Sequence, residues 1–309
     1  MSSKILVTGA DLAPQALALL SGFEVVYAGK TPQEDDLVAL CRQHDPVAII
    51  VRYGHITPRI IEAAPSLRVI SKHGSGTDTI AREAAQARGI AVVAAAGANA
   101  AAVAEQAMAL LLACAKSVVQ LNERMHAGHW DKATHKSVEL SGRTVGVVGL
   151  GAIGLRFARM ADAMDMRVIG FDPFAKALPA YVEPVALTDI WRQSDAISLH
   201  CPLTPDNRHM VNEATLALCK PGVMLVNTGR GGLIDEQALL AAVASGHVSM
   251  AGLDAFAQEP PPKDHAFFGN PRLLLSPHIG GVTSDAYVNM GVAAARNILS
   301  ALAAVPAHA

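Results

Sequence analysis

The sequence predicts an α/β protein of two domains, each built around a parallel β-sheet, with a cleft between them. The chain has 309 residues, about twice the usual length of one domain. Short apolar runs alternate with alanine-rich segments of helical length, and this alternation occurs once on each side of a long apolar helical segment. Strands that alternate with helices form parallel sheets through right-handed crossovers.

The first domain is predicted from five strand candidates in the first hundred residues, namely KILVT, EVVYA, VAIIVR, LRVISKHG and IAVVAAA. The segments between them, PQALALLSG, TPQEDDLVALCRQH, ITPRIIEAAP and TIAREAAQARG, have helical length. The last segment, TSDAYVNMGVAAARNILSALAA, predicts one helix that returns to pack on this unit. We therefore assign residues 1–98 and 282–309 to one domain.

The second domain is predicted over residues 99–281. One long helix is expected from about Ala100 to His126, after Asn99, which suits an N-cap. Six strand candidates follow: TVGVVGL, MRVIGFD, AISLHCP, VMLVNTG, SMAGLDAF and LLLSPH. They predict a second parallel sheet of six strands.

Composition limits the expected partners and location. The chain is 51% hydrophobic and 17% charged with a net charge of -2, so it offers no broad basic field for nucleic acid or acidic membranes. Its most apolar helical stretch, AMALLLACAK, is too short to span a bilayer, and the start has no signal-peptide pattern. The four cysteines form no CxxC pair, which suits a reducing cytoplasm. We expect a cytoplasmic protein that binds small molecules or its own copies.

A glycine motif follows the first strand of the second domain. In TVGVVGLGAIGLRFARM, Gly149, Gly151 and Gly154 stand between a strand and a helix. A tight turn, the approach of backbone to a pyrophosphate and close helix–strand packing each require a glycine, and the helix N-terminus attracts anions. The motif predicts dinucleotide binding; the alternative is a structural glycine turn.

The next strand indicates which dinucleotide is bound. It ends in VIGFDP, where Asp172 stands at the position of a carboxylate that binds the adenosine ribose hydroxyls. Because a carboxylate repels a 2′-phosphate, NAD is favoured over NADP. Nearby Lys176 leaves the strictness of that preference open.

Three further strand ends carry ionisable residues. Arg230 lies among glycines in VMLVNTGRGGLIDEQALL, ahead of Asp235, which suits a helix cap. A guanidinium at a strand end matches a substrate carboxylate, and the alternative is a surface arginine in a turn. GLDAFAQEPP provides Asp254 and Glu259, and His278 follows in LLLSPHIGG. A carboxylate bonded to one imidazole nitrogen raises the pKa of the ring, although a lone histidine after a strand is more often structural.

These motifs resemble a known family. GLGAIG, NTGRGGLIDE, GLDAFAQEP and SPHIGG, in this order and at these separations, resemble the D-isomer-specific 2-hydroxyacid dehydrogenases, and SKHGSGTDTI resembles the substrate-side loop of that family. Within the family, the chain is most similar to the catalytic part of D-3-phosphoglycerate dehydrogenases. The resemblance covers nearly the whole chain. It implies two Rossmann-like or flavodoxin-like domains, a homodimer and hydride transfer between NAD and a D-2-hydroxy acid.

The resemblance also implies residue roles. Arg230 would hold the substrate carboxylate and polarise the carbonyl, His278 would be the acid–base, and Glu259 would keep the imidazole charged. Asp254 would lie by the nicotinamide. The expected cofactor-binding residues are Gly149, Gly151, Ala152, Ile153, Gly154, Asp172, Cys201, Thr228, Gly229 and Asp254. Cys201 is expected to contribute backbone contacts and not to act as a nucleophile.

The substrate side is expected in the first domain. The amides of Ser75 and Gly76 would bind a carboxylate, and Arg52 and Lys72 fall where phosphoglycerate dehydrogenases carry basic residues. With His73 they have no obvious counter-charge in the sequence, which predicts a phosphorylated or dicarboxylic substrate. The alternative is that they are solvated charges at strand ends, and the substrate is then of the glyoxylate or hydroxypyruvate type.

One alternative function stays open, and metal binding is not expected. A catalytically idle, NAD-sensing corepressor of the same fold is an alternative, although Arg230, Glu259 and His278 are all present. The histidines of RMHAGHWDKATH have no completing carboxylate set, so we expect no metal site there. The resemblance to the family implies instead that this segment helps to form the dimer.

Overall fold

The computed structural model describes residues 2–304. The chain forms two compact units: one comprises the residues up to Asn99 and those from Gly281 onward, and the other comprises Ala100–Gly280. Within the described residues the strands are β1 (Lys4–Val7), β2 (Glu24–Tyr27), β3 (Ala48–Val51), β4 (Val69–Lys72), β5 (Ala91–Ala94), β6 (Thr144–Val148), β7 (Arg167–Phe171), β8 (Glu183–Pro184), β9 (Ala196–Leu199), β10 (Val223–Asn227), β11 (Val248–Leu253) and β12 (Leu273–Leu275).

The helices lie between these strands, except the last one, which follows β12. They are α1 (Pro14–Leu19), α2 (Glu34–His44), α3 (Pro58–Glu62), α4 (Arg82–Ala87), α5 (Ala100–Lys116), α6 (Val118–His126), α7 (Ala152–Asp162), α8 (Leu187–Gln193), α9 (Glu213–Leu218), α10 (Glu236–Ser245) and α11 (Ser284–Ala304). Short 3-10 turns occupy Pro205–Asn207 and Gly231–Leu233.

The first unit contains a five-stranded parallel sheet in the order β2-β1-β3-β4-β5. All four residues of β3 are buried, which explains its continuous apolar run, because helices cover both faces of a parallel sheet. Helix α11 returns to this unit, where Ala294, Ala295 and Ile298 pack in one core with residues of β1 and β3. The order of the strands reverses direction between β1 and β3, the point at which ligands bind open α/β sheets.

The second unit contains a seven-stranded parallel sheet in the order β12-β11-β10-β9-β6-β7-β8. Here the order reverses between β6 and β9, so the loops after these strands meet at one edge. The ends of α10 follow local rules: Asp235 accepts hydrogen bonds from the N–H groups of Gln237 and Ala238, and Gly246 ends the helix with a φ of 78°. The predicted α/β class with two parallel sheets is therefore confirmed.

Two predicted elements were wrong in detail. The long helix expected from Ala100 to His126 is two helices, because Ser117 adopts a left-handed φ of 51° and the helix axes bend by 59°. The second sheet has a seventh strand, β8, which pairs with β7 through only two residues. A strand of this length has no alternating pattern that a sequence can reveal.

Over residues 2–304 no single helix is long and apolar enough to cross a bilayer, while the bent pair α5 and α6 would pass by length and composition alone.

Candidate active site

The glycine loop between β6 and α7 is shaped by close backbone packing. Gly149 has a φ of 90°, and a Cβ there would lie 2.6 Å from the backbone nitrogen of Cys201. A Cβ on Gly154 would lie 1.9 Å from the carbonyl oxygen of Gly149, so a side chain at either position would displace backbone. Gly151 differs, because no atom lies within 4 Å of its Cβ position and the space above the loop is open. Ala152 and Ile153 then begin α7, whose first N–H groups face the loop end.

The strand ends beside this loop present backbone and one buried hydroxyl. A Cβ built on Gly229 would lie 3.2 Å from the carbonyl oxygen of Cys201, so the two strand ends lie close together. The hydroxyl of Thr228 is buried and has no hydrogen-bond partner among the residues that the structure describes. A buried polar group without a partner is rare and indicates a missing ligand or water. Burial raises the pKa of the Cys201 thiol to about 11, so the sulfur is protonated at neutral pH.

Asp172 lies at the end of β7, next to the glycine loop. Its carboxylate accepts hydrogen bonds from the backbone N–H of Leu150 at 2.8 Å and of Phe174 at 2.8 Å. These two bonds orient the carboxylate and leave it lone pairs for ribose hydroxyls. The open space over Gly151, the orphaned Thr228 hydroxyl and the oriented Asp172 together fit a dinucleotide.

Asp254, at the end of β11, is almost fully buried and holds the loop that follows β12. Its Oδ1 accepts a hydrogen bond from the Ser276 hydroxyl at 2.5 Å and from the Ile279 N–H at 3.0 Å, and its Oδ2 accepts from the Gly280 N–H at 2.7 Å. Gln106 adds a bond to the Ser276 hydroxyl at 3.2 Å. Asp254 thus determines the path of the backbone on both sides of His278.

His278 has a strained backbone and a charged partner. Its φ of 53° is uncommon for a residue with a side chain, and the bonds made by Asp254 hold the flanking residues in place. Its Nδ1 lies 2.6 Å from Oε2 of Glu259. The other oxygen of Glu259 accepts from the Phe256 N–H at 3.0 Å, which orients the carboxylate. The predicted partnership of these two side chains is therefore present in the structure.

The electrostatics of the pair suit proton exchange. The hydrogen bond to Glu259 raises the pKa of His278; burial acts against this rise, and the charge of Asp254 adds to it. Burial acts to raise the pKa of Glu259, but the bonds from His278 and the Phe256 N–H bring it below its usual value. Because Nδ1 is bonded to Glu259, Nε2 is the nitrogen able to exchange a proton.

Arg230 lies close to this pair. Its positive charge lowers the pKa of both His278 and Glu259, which requires proximity. The backbone around it is held by Asn227, whose side-chain amide donates to the Arg230 carbonyl at 2.9 Å and whose amide oxygen accepts from the Gly229 N–H at 3.0 Å. A Cβ on Gly231 would lie 1.9 Å from the carbonyl carbon of Phe256, so only glycine lets the two loops approach.

The loop that carries Glu259 has a further support. Glu236 accepts hydrogen bonds from the Ala257 N–H at 3.0 Å and, through its other oxygen, lies 3.2 Å from Nε2 of His265. Glu236, Ser276 and Gln106 were not among the residues predicted for the site. Glu236 and Ser276 lie within quoted motifs, but nothing in the sequence pairs them with their partners.

The basic residues of the first unit differ from expectation. Arg52 forms an ion pair with Asp11, so the expectation that it has no counter-charge was wrong. His73 is buried, and burial lowers its pKa to about 4, so it is neutral at physiological pH. Lys72 donates to the Arg52 carbonyl at 3.4 Å, and the Ser75 hydroxyl donates to Asn99 at 2.8 Å.

Within residues 2–304 no group of three or more His, Cys, Asp or Glu side chains is arranged to hold a metal ion.

Known proteins identify the family. Residues 108–280 match the model of the D-isomer specific 2-hydroxyacid dehydrogenase NAD binding domain. The chain is 37% identical to a hydroxypyruvate reductase of Thermotoga maritima, over 92% of this chain and 93% of that one. It is 36% identical to a D-3-phosphoglycerate dehydrogenase of Mycobacterium bovis, over 98% of this chain but only 58% of the longer relative. The TT0316 protein of Thermus thermophilus has a TM-score of 0.89 at 32% identity, with 97% of each chain covered.

The chain therefore belongs to the D-isomer specific 2-hydroxyacid dehydrogenases. It is an NAD(P)-dependent oxidoreductase that interconverts a D-2-hydroxy acid and the corresponding 2-oxo acid.

Proposed function

We propose that His278 is the acid–base of this reaction, that Glu259 is its charge partner and that Arg230 holds the substrate carboxylate. The observation that carries the proposal is the 2.6 Å contact between His278 and Glu259, on a loop that Asp254 holds by three hydrogen bonds. Bound nicotinamide supplies or accepts the hydride. During reduction Nε2 of His278 gives its proton to the carbonyl oxygen, and during oxidation it takes the hydroxyl proton.

Each neighbouring group has a distinct part. Glu259 stabilises the charged imidazole, so the proton is available at a higher pH than for an isolated histidine. The guanidinium of Arg230 matches a carboxylate through two parallel hydrogen bonds and polarises the adjacent carbonyl. Asp254 keeps the ring in position and adds negative charge that favours the protonated form.

We assign the cofactor to the loop around Gly149, Gly151 and Gly154 with the strand ends at Cys201, Thr228 and Gly229. Asp172 favours NAD over NADP, because its carboxylate repels a 2′-phosphate. Lys72, Ser75 and Gly76 are assigned to the substrate. Ser75 and Gly76 would offer backbone N–H groups to its carboxylate.

A homodimer in the cytoplasm completes the proposal. Four apolar side chains on α6 and the following loop are exposed, namely Val118, Val119, Met125 and Trp130 at 53%, 43%, 53% and 74%. Such a group of exposed apolar side chains is typical of a protein–protein contact. Sedimentation of the purified protein is expected to give the dimer mass. A monomer at micromolar concentration would contradict this assignment.

The experiment for the catalytic proposal is NADH oxidation with a panel of 2-oxo acids. The panel contains glyoxylate, hydroxypyruvate, phosphohydroxypyruvate, pyruvate and oxaloacetate. We expect turnover with at least one of them and its loss in His278→Gln. Turnover that His278→Gln leaves unchanged would contradict the role proposed for the His278–Glu259 pair.

A further inference from the structure

A second carboxylate–histidine pair lies beside the loop that carries Glu259. Glu236 is the first residue of α10, and His265 lies 29 residues further along, in the loop between β11 and β12. Oε2 of Glu236 lies 3.2 Å from Nε2 of His265, and the two side chains are only 21% and 12% exposed. The proton transfer proposed above uses neither residue. We call these two residues the Glu236–His265 pair.

The imidazole of His265 is held in one orientation. Its Nδ1 accepts a hydrogen bond from the Phe267 N–H at 3.3 Å, so the hydrogen of the neutral ring is on Nε2, which donates it to Glu236. The centre of the imidazole lies 4.8 Å from the ring centre of Phe267 and 6.1 Å from that of Phe256. The histidine therefore packs against the segment in which Phe256 orients Glu259.

Glu236 holds one peptide unit of that segment. Its Oε1 accepts a hydrogen bond from the Ala257 N–H at 3.0 Å. The carbonyl of the same peptide belongs to Phe256, and a Cβ on Gly231 would lie 2.2 Å from its oxygen. The peptide between Phe256 and Ala257 is therefore fixed on its N–H side by a hydrogen bond and on its carbonyl side by close packing.

The preceding N–H group orients Glu259. The Phe256 N–H donates to Oε1 of Glu259 at 3.0 Å, and Oε2 of Glu259 lies 2.6 Å from Nδ1 of His278. Because peptide units are planar, a rotation of the peptide that Glu236 holds would also turn the Phe256 N–H, which is only one residue away. The path from Glu236 to His278 thus consists of hydrogen bonds joined by one fixed peptide.

The other charges that act on His278 are held separately. The hydrogen bond to Glu259 is the main cause of the raised pKa of His278; the charge of Asp254 adds to the rise, while burial and the charge of Arg230 oppose it. Asp254 is held by the loop after β12, and the backbone of Arg230 is held by Asn227. Removal of the Glu236–His265 pair leaves these bonds in place, so its effect on His278 must come through Glu259.

We propose that Glu236 and His265 are positioning residues, which hold the Phe256–Ala257 peptide so that Glu259 keeps its carboxylate against His278. This inference rests on the proposed function, because the position of Glu259 affects the reaction only if His278 exchanges the proton. Glu236 uses one oxygen for the peptide and the other for His265, so the histidine fixes the direction in which the carboxylate points. The pair acts on Glu259 and not on the substrate.

The experiment compares Glu236→Ala with Glu236→Gln in the pH profile of 2-oxo acid reduction. Alanine removes the acceptor of the Ala257 N–H, so Glu259 loses its fixed orientation. The upper pH limit should then fall, as expected for Glu259→Gln, and kcat/KM should be about tenfold lower. Glutamine keeps an oxygen for that N–H and should restore most of the lost pH range. Binding of NADH should stay unchanged in both variants.

Three further variants isolate the cause, and melting curves check that each one folds. Glu213 is the first residue of α9, so Glu213→Ala removes a carboxylate from an equivalent helix position and should leave the pH limit unchanged. Adding Glu236→Ala to Glu259→Gln should cause no further shift, because the carboxylate that Glu236 positions is already absent. His265→Phe keeps an aromatic ring but removes the donor to Glu236, and it should lower the limit by less than Glu236→Ala.

Two results from these variants would overturn the inference. An additive shift in the double variant would show that Glu236 acts on His278 independently of Glu259. A wild-type pH limit in His265→Phe would show that the histidine does not fix the carboxylate of Glu236.

An NMR titration separates this inference from the catalytic proposal. Labelled histidine side chains report the pKa of His278 without turnover, and its signal is the one that disappears in His278→Gln. A lower pKa in Glu236→Ala, in a protein whose turnover does not depend on His278, would overturn the catalytic roles and keep the inference. If Glu259→Gln lowers the pKa and Glu236→Ala leaves it unchanged, the inference alone is overturned. A pKa that neither variant changes would overturn both.

Discussion

Two charged pairs lie at the carboxyl edges of the two sheets, and they differ in what they can do. His278 and Glu259 in the second unit are 43% and 37% exposed, and the histidine can lose its proton. Arg52 in the first unit is 11% exposed, and an arginine keeps its proton at every physiological pH. The first pair is therefore suited to proton transfer and the second to setting a permanent local charge.

The residues that hold the two pairs in place differ in a way that matches this contrast. Asp254 holds the backbone around His278, and the contact of Nδ1 with Glu259 leaves Nε2 as the nitrogen able to exchange a proton. Tyr53 and Tyr287 lie against the guanidinium of Arg52, and Asp11 occupies one of its nitrogens. A pair suited to proton exchange keeps one ring nitrogen available, whereas a pair suited to setting a local charge has its polar groups hydrogen-bonded. The following predictions test this contrast.

The largest effect is expected for His278→Gln. Glutamine cannot give or take the proton, so kcat for 2-oxo acid reduction should fall by about 10²–10⁴-fold while NADH still binds. Steady-state kinetics and NADH fluorescence titration measure the two quantities. His44→Gln removes an imidazole at the end of α2 and serves as the control. Unchanged turnover in the His278 variant would exclude it as the acid–base.

Asp172 differs from both pairs, because its carboxylate is held by two backbone N–H groups and not by another charged side chain. Asp172→Ala is expected to weaken NAD binding about tenfold and to narrow the gap to NADP, because the ribose contact and the repulsion of a 2′-phosphate both disappear. Dissociation constants for both cofactors test this. Asp162→Ala, at the exposed end of α7, is the control. A wild type that already prefers NADPH would overturn the assignment.

Glu259→Gln tests the charge link inside the first pair. The carboxylate raises the pKa of His278, so its loss should lower that pKa and move the upper pH limit of 2-oxo acid reduction downward. Oxidation of the hydroxy acid needs neutral His278, and its lower pH limit should move down as well. pH profiles of kcat/KM in both directions measure the shift. Profiles identical to those of the wild type would show that Glu259 does not set this pKa.

The smallest effect concerns stability. Folding raises the pKa of His278. Its contribution to the free energy of unfolding is therefore fully present below the pKa of the unfolded state, about 6.5, and is lost as pH rises through the pKa of the folded state. The pKa of Asp11 is lowered, so its contribution is present above about 3.9 and is lost as pH falls through the folded value. Both partly exposed pairs should contribute less than about 1 kcal/mol.

Urea unfolding of Asp11→Asn and Glu259→Gln across pH measures these terms. The loss of unfolding free energy caused by Asp11→Asn should stay constant from neutral to mildly alkaline pH. The loss caused by Glu259→Gln should shrink over the same range as His278 loses its proton. The opposite pattern would reverse the roles assigned to the two pairs.

The sequence by itself determined the two parallel sheets and the glycine loop. These features depend on local patterns: buried strands read as apolar runs, and Gly149 and Gly154 stand where a Cβ would collide with backbone. The partnership of Glu259 with His278 was implied by the resemblance to the family and not by a local pattern. The domain boundaries stay a prediction, and the roles of the site residues stay predictions that the experiments above test.

The tertiary structure alone decided which groups meet across the chain. The bend at Ser117, the two-residue strand β8 and the support of the His278 loop by Asp254 have no separate signal in the sequence. Arg52 has the same appearance in sequence whether its neighbour is solvent, a substrate phosphate or Asp11. The choice is made when β1, β3 and α11 pack together, because burial of their apolar faces brings Asp11, Arg52 and Tyr287 to one place.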